Sequence, residues 1–444
     1  MKKFIESIKN VWSIDELRKR ILFTLTLILV YRIGSYIVLP GVDPSVLDGQ
    51  QAQDGILGLI NMFAGGAFSN ASIFALGVMP YISASIFMQL AGIIIPQFAK
   101  LQKEESGRQK MNQYTRYLTI IVTAFQAFAY IQFIKQQTSG QIVINETLFY
   151  ISTIIILTAG TMFVMYLGER ITEKGIGNGV SLLIMVGIFA RLPNSLAQEW
   201  QTKADSDKII FFLIELAFFI AIVIGLIALT KAVRRIPLTY ARKVMGNNAE
   251  KELAGGSRNF IPLKLISAGV MPIIFAQALL FLPPMIIGFA QEADSSNSFV
   301  AALADPASLW YNLIYAILVI AFTYFYTALT FNPNDLADNL QRNNSFIPGI
   351  HSGQPTADYI GAVMDRITLP GSIFLAIAGI LPGIAVVFGV SRGFADFFGG
   401  TSMLIGVGVI LDTLQQVESY LLMRHYDGLM KTGRVSGRSN TINI

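Results

Sequence analysis

The sequence predicts an all-α polytopic membrane protein with ten transmembrane helices. Three observations predict it. Of the 444 residues, 53% are hydrophobic and only 14% charged, against about 25% charged in a soluble protein; the mean hydropathy is +0.56. Ten apolar runs approach the roughly 20 residues that a bilayer core demands. Lys and Arg are partitioned: with the N-terminus placed in the cytoplasm, 27 of the 33 fall in inner segments and 5 in outer ones, and Arg32 lies inside the first run. That bias sets orientation. It puts both termini in the cytoplasm and independently favours an even helix count.

The expected spans are 21–38, 73–95, 117–134, 148–167, 179–192, 209–229, 265–288, 309–330, 368–389 and 401–423. Lys2, Lys3 and Lys9 sit in or beside an amphipathic stretch, Phe4 to Arg20, that precedes the first span. Leu39-Pro-Gly is a poor small-residue cleavage site, so this reads as a retained helix rather than a signal peptide. The next stretch, Asn61 to Ile95, contains no Lys, Arg, Asp or Glu. Its first part, Phe63-Ala-Gly-Gly-Ala-Phe-Ser-Asn, is too short and Gly-rich to span, each Gly costing about 1 kcal/mol of helix relative to Ala. Its second part, Ile73 to Ile95, has spanning length, with Pro80 as an expected break. A weak half-helix at membrane depth is tolerated only where it is buried in protein or lines a cavity. Interrupted segments of this kind point to a transport path; a re-entrant hairpin that merely packs is the alternative.

The fifth span opens at a Gly-rich turn, and the seventh carries Pro272, Pro283 and Pro284 and should kink. Spans two and seven are both interrupted, at equivalent places in two halves of five, as in an inverted repeat. The halves are expected at 1–192 and 193–444. Two inner loops, 231–264 and 331–366, exceed the usual length of helix connectors. Their Pro, Gly and Asn residues argue for shaped hairpins. The basic residues of the first, Arg234, Arg235, Arg242, Lys243 and Arg258 among them, suit an acidic or RNA-bearing partner. An ordinary positive-inside loop is the plainer alternative.

Some chemistries are excluded. There is no cysteine and there are two distant histidines, His351 and His425, so thiol chemistry is absent and a His-based metal centre is not expected. No phosphate-binding loop GxxxxGK[ST] and no HExxH occurs. No cofactor is expected, and no bond chemistry. The candidate ionisable groups inside spans include Arg32, Glu215, Asp412 and Glu418, without an evident relay; a secondary transporter would have to couple through Glu215 or Asp412. What the presumed path offers is aliphatic. Ile82 and Ile86 share one helix face, and Val180 and Ile184 repeat the spacing. Such side chains ordinarily face lipid or core, but as a collar they would make a constriction that dewets.

Six stretches carry a family resemblance: NMFAGGAFSNASIFALGVMPYISASI, ESGRQKMNQYTRY, GERITEKGIGNGVS, KAVRRIPLTYARK, YFYTALTFNPNDLADNLQRNNSFIPG and FGGTSMLIGVGVILDT. Together they resemble the bacterial members of the SecY family of protein-conducting channels, from the first span to the tenth. The resemblance implies two pseudo-symmetric inverted halves hinged between spans five and six, around a central hourglass pore with a plug half-helix. It places the plug on Asn61, Met62, Phe63, Ala64, Gly65, Gly66, Ala67, Phe68, Ser69 and Asn70, and the pore ring on Ile82, Ile86, Val180, Ile184, Ile274 and Ile405. It places a lateral gate between spans two and three and spans seven and eight, near Gln126 and Gln277. Either glutamine could instead be helix glue within one half.

The resemblance further implies that the two inner loops dock the ribosome and the SecA motor ATPase, with Arg342 and His351 joining the basic residues above. His351 stands where the family usually has Arg. Implied companions are SecE-like and SecG-like small subunits, further accessory membrane proteins, the lipid bilayer, and an unfolded preprotein with its signal sequence as cargo. The implied location is the bacterial inner (plasma) membrane.

Overall fold

The computed structural model describes residues 12, 14–42, 61, 64–137, 145–205, 209–240, 259–277, 279–280 and 308–432. The expected prolines at 283 and 284 lie outside them. The chain is a bundle of long helices with a small sheet at one end. In order they are α1 Asp15–Gly34, α2 Met79–Ile94, α3 Pro96–Lys103, α4 Glu105–Gln137, α5 Glu146–Lys174, α6 Gly179–Asp205 and α7 Ile209–Lys231. Then come strands β1 Val233–Tyr240 and β2 Asn259–Lys264, a helical piece at 271–277, and α8 Leu309–Thr330. α9 Pro333–Arg342, β3 Ser345–Phe346, α10 Gln354–Val387, α11 Arg392–Ala395 and α12 Gly400–Thr432 complete it.

Among the described residues, seven helical stretches are long and apolar enough to cross a bilayer. Three expected spans fall short of that measure for visible reasons. α1 carries Arg18, Lys19, Arg20 and Arg32; α2 has only 16 residues; the seventh is described only in part.

Several boundaries differ from expectation. The second span begins at Met79, not at Ile73. Pro80 therefore lies in the first turn, where its missing N–H costs nothing, and starts the helix rather than breaking it. The preceding Ile73 and Phe74 are locked elsewhere. The Phe74 ring stacks between Tyr31 and Phe163, at 6.0 and 5.9 Å, and the Ile73 N–H donates to the Ile37 carbonyl at 2.9 Å. A side chain at Gly34 would meet the Phe74 ring at 2.0 Å, so only glycine admits this arrangement.

The fifth span continues past Pro193 to Asp205. The extension survives because its far turns are bound in place. Lys203 Nζ meets Glu215 of α7 at 2.9 Å, Glu199 at 3.5 Å and the Gly389 carbonyl at 2.9 Å. Glu199 Oε2 accepts the Ser391 N–H at 3.0 Å. Leu196 adds apolar contact with the cluster of Val390, Phe394 and Phe398. Glu215 is thereby held in an ion pair. The ninth span likewise begins early, at Gln354.

The two long loops fold into one unit. β1 pairs antiparallel with β2, from Val233 opposite Lys264 to Leu238 opposite Asn259, and with β3 through Thr239–Phe346 and Tyr240–Ser345. The strand order is β2-β1-β3. Alternation along β1 buries Ile236 and Leu238 and exposes Arg235 and Thr239. The buried face packs on Leu340 of α9 and on Ile360 and Met364 of α10. α9 starts at Asn332, whose side chain accepts the Asn334 N–H at 3.1 Å, with Pro333 in the first turn.

Removing one partner of a buried ion group leaves uncompensated charge at about 3–5 kcal/mol. Lys203→Ala should therefore lower the thermal unfolding midpoint in detergent by several degrees, read by size-exclusion fluorescence. Adding Glu199→Gln and Glu215→Gln should recover part of the loss.

Candidate functional site

The site is the middle of the bundle, where two short-range facts meet. One is an aliphatic cluster at the expected collar, or waist. Ile184 and Ile405 are buried, and Ile82, Val180 and Ile274 pack against them in one hydrophobic cluster. These side chains come from α2, α6, the 271–277 helix and α12, so both ends of the sequence contribute. Ile86, one turn beyond Ile82 on α2, is half-buried and does not join the cluster.

The other fact is the segment that lies on the waist. Ala64, Ala67, Phe68 and Ala71 belong to the same cluster as the five branched residues. Met62 and Phe63 lie outside the described residues. Asn61 is helical, but Ala64 to Val78 run as successive turns rather than as the expected half-helix. The reason is local: Gly65, Gly66 and Gly77 have φ of +65°, +87° and +53°, incompatible with a right-handed helix. A side chain at Gly65 would also meet the Gly187 backbone of α6 at 2.6 Å. The backbone of this segment thus rests directly on α6.

An irregular backbone at this depth needs partners, and it has them. The Asn61 side chain accepts the Ser69 N–H at 3.1 Å, and Gly66 N–H reaches the Asn61 carbonyl at 2.9 Å. Leu39 N–H donates to the Ala71 carbonyl at 2.8 Å. Arg32 Nη1 donates to the Gly65 carbonyl at 3.1 Å, and Tyr130 Oη to the Phe68 carbonyl at 2.6 Å. The Phe68 ring is held by Tyr130 and Phe133 at 4.7 and 5.1 Å. Arg32 was visible in the sequence as a charge inside a span, but nothing there assigned it to this segment.

The two glutamines expected near a lateral seam differ in their surroundings. Gln126 on α4 is half-buried. Gln277 is buried and accepts the Thr401 hydroxyl of α12 at 2.8 Å, a contact within the C-terminal half. The polar contact that does cross between spans two and eight is another: Tyr326 Oη of α8 donates to Gln89 Oε1 of α2 at 3.4 Å. Sequence reasoning missed it, although Gln89 is the one amide side chain in α2.

Arg234 and Arg235 are exposed on β1, the latter over the Phe260 ring at 4.7 Å; Arg342 and His351 are exposed as well. The sheet brings the two basic loops onto one surface. Arg242, Lys243 and Arg258 lie outside the described residues. Asp412 and Glu418 are exposed on α12, so no buried acid relay joins them to Glu215.

The SecY family model matches residues 72–414. Proteins named "Protein translocase subunit SecY" are similar over nearly the whole length. That of Streptomyces scabiei is 40% identical over 95% of this chain and 99% of its own. That of Mycobacterium tuberculosis is 41% identical over 96% and 99%. Among solved structures, "The structure of a protein conducting channel" superposes with a TM-score of 0.64 at 16% identity, over 94% of this chain and 95% of the other. "Sec61 in the Canine ribosome-channel complex from the endoplasmic reticulum" does so with a TM-score of 0.60 at 15%, over the same shares.

Gly65→Ala forces both a strained φ and a clash with Gly187. Its expected result is faster amide hydrogen exchange across residues 64–72, with α5 and α7 unchanged. Unaltered protection there would contradict the close packing.

Proposed function

The chain belongs to the SecY family, and from that membership we propose a full account of its work. It is the pore-forming subunit of the bacterial general secretion translocon in the inner membrane, with both termini cytoplasmic. It passes unfolded preproteins across the membrane and releases apolar segments sideways into lipid. It is a channel subunit of transport type and not a catalyst. The observation that carries the reading is the waist: five branched aliphatic residues from four helices, packed in one cluster with the plug segment.

A ring of this kind excludes ions by dewetting and offers a passing chain no strong binding site. Ile86 completes the ring when the helices shift. The halves 1–192 and 193–444 part about the α6–α7 connection, and the seam opens between α2 with α4 and the 271–277 helix with α8. Gln89 and Tyr326 zip that seam when shut; Gln126 eases its opening by gaining a polar partner there. A signal sequence supplies the driving energy. Moving a two-state channel from mostly shut to mostly open takes about 5.5 kcal/mol of differential binding. Burying about 220 Å² of apolar surface at about 25 cal/mol per Å² matches it.

The exposed surface built by β1, β2, α9 and β3 is the docking face for SecA and for the ribosome. Its arginines suit acidic protein or RNA, and two similar solved channels are described as ribosome-bound. SecE-like and SecG-like subunits cover lipid-facing flanks.

Deleting residues 61–70 should raise resting ion conductance in planar bilayers while export continues. Ile184→Asp should leak ions or relax signal-sequence selection; sealed bilayers from both variants would sink the collar. His351→Arg restores the charge usual in the family and should leave export within about twofold of the parent rate, measured by preprotein uptake into vesicles.

A further inference from the structure

We infer that Arg32 and Tyr130 form a two-point latch that keeps the plug shut, and that Tyr130 is the point through which the gate releases it. This rests on the pore reading above. Both side chains donate a hydrogen bond to a plug carbonyl, from two different helices: Arg32 of α1 to Gly65 and Tyr130 of α4 to Phe68. Both acceptors are backbone atoms, so the latch depends on the path of the plug and not on its side chains. The left-handed turn at Gly65 contributes by setting the local direction of that path.

The two points differ in what release costs. Arg32 is also held by Tyr36, whose hydroxyl it meets at 3.3 Å and whose ring lies 5.5 Å from it. It borders a polar cavity of about 280 Å³, lined also by Gly66, Ser69, Asn70 and Arg191. Water in that cavity can replace the Gly65 carbonyl, so this bond is exchangeable. Tyr130 is fully buried among apolar rings. Its hydroxyl has no water to turn to, and breaking its bond in place would leave an unpaired buried donor. The bond therefore yields when α4 itself moves. Tyr130 lies one turn from Gln126 on α4, the helix that forms one wall of the proposed gate. A signal helix entering the seam displaces α4, withdraws Tyr130 from Phe68 and leaves the plug on its exchangeable point alone.

The test uses the purified channel with its companion subunits, reconstituted in proteoliposomes. Tyr130→Phe removes one hydroxyl and keeps the ring against Phe68; Arg32→Lys keeps the charge and loses the fixed fork. Tyr130→Phe should raise resting ion flux several-fold, to a level between the parent and the 61–70 deletion. It should also permit export of a preprotein whose signal sequence has a shortened apolar core. Arg32→Lys should raise flux less and leave the signal requirement in place. In the plug-deleted channel neither change should alter flux further. Parent-like flux and signal requirement for Tyr130→Phe would overturn the latch, as would an equal flux increase with the plug absent, which would mean general loosening. If deleting the plug itself leaves flux unchanged, the pore reading fails instead.

Discussion

Backbone that is neither helix nor closed sheet cannot sit at membrane depth without partners, because no solvent is there to provide them. Residues 64–78 are such backbone, and much of the surrounding N-terminal half is arranged to satisfy them. α1 supplies Arg32, and the turn after it supplies Ile37 and Leu39; α4 supplies Tyr130; the segment supplies Asn61 and Ser69 to itself. The same demand explains the tight fit of Phe74 between Tyr31 and Phe163. It also explains why α6 presents bare backbone at Gly187 beneath Gly65.

The bundle is tied firmly at its two ends and softly in the middle. At the end opposite the sheet, Lys203 joins α6 to α7 and to the turn after α10. At the sheet end, the Gly177 N–H donates to Gln416 of α12 at 2.8 Å and the Ile176 N–H to Thr24 of α1 at 3.1 Å. β1 and β3 join the two long loops there. Between these ends the halves meet through Ile82, Val180, Ile184, Ile274 and Ile405. Apolar contact is non-directional and re-forms with any apolar partner, whereas a buried ion pair does not.

Seam residues follow the same logic. Gln277 is committed to Thr401 within its own half, and the bond across the seam runs between Gln89 and Tyr326. At 3.4 Å it is long for a hydrogen bond. A weak neutral contact suits the opening proposed at that seam, and a buried charge pair would not.

The sequence by itself determined that this is a helical membrane protein, and it picked out the branched aliphatic residues and the Gly-rich segment that the structure packs into one cluster. Composition and period are local properties, and each is written directly in residue order. It also located the two long loops, through their length and their Pro, Gly and Asn residues. Only the tertiary structure decided that Pro80 starts a helix, that Pro193 does not end one, and that the plug is a chain of turns. The first two depend on the contacts of Phe74 with Tyr31 and Phe163 and of Lys203 with Gly389, which are distant in sequence, and the third on the positive φ of Gly65, Gly66 and Gly77. The pairing of Arg32 with Gly65, of Tyr130 with Phe68 and of Gln89 with Tyr326 was likewise beyond reading. A hydrogen bond is fixed by where two helices come to rest, and no periodicity in either helix records its partner.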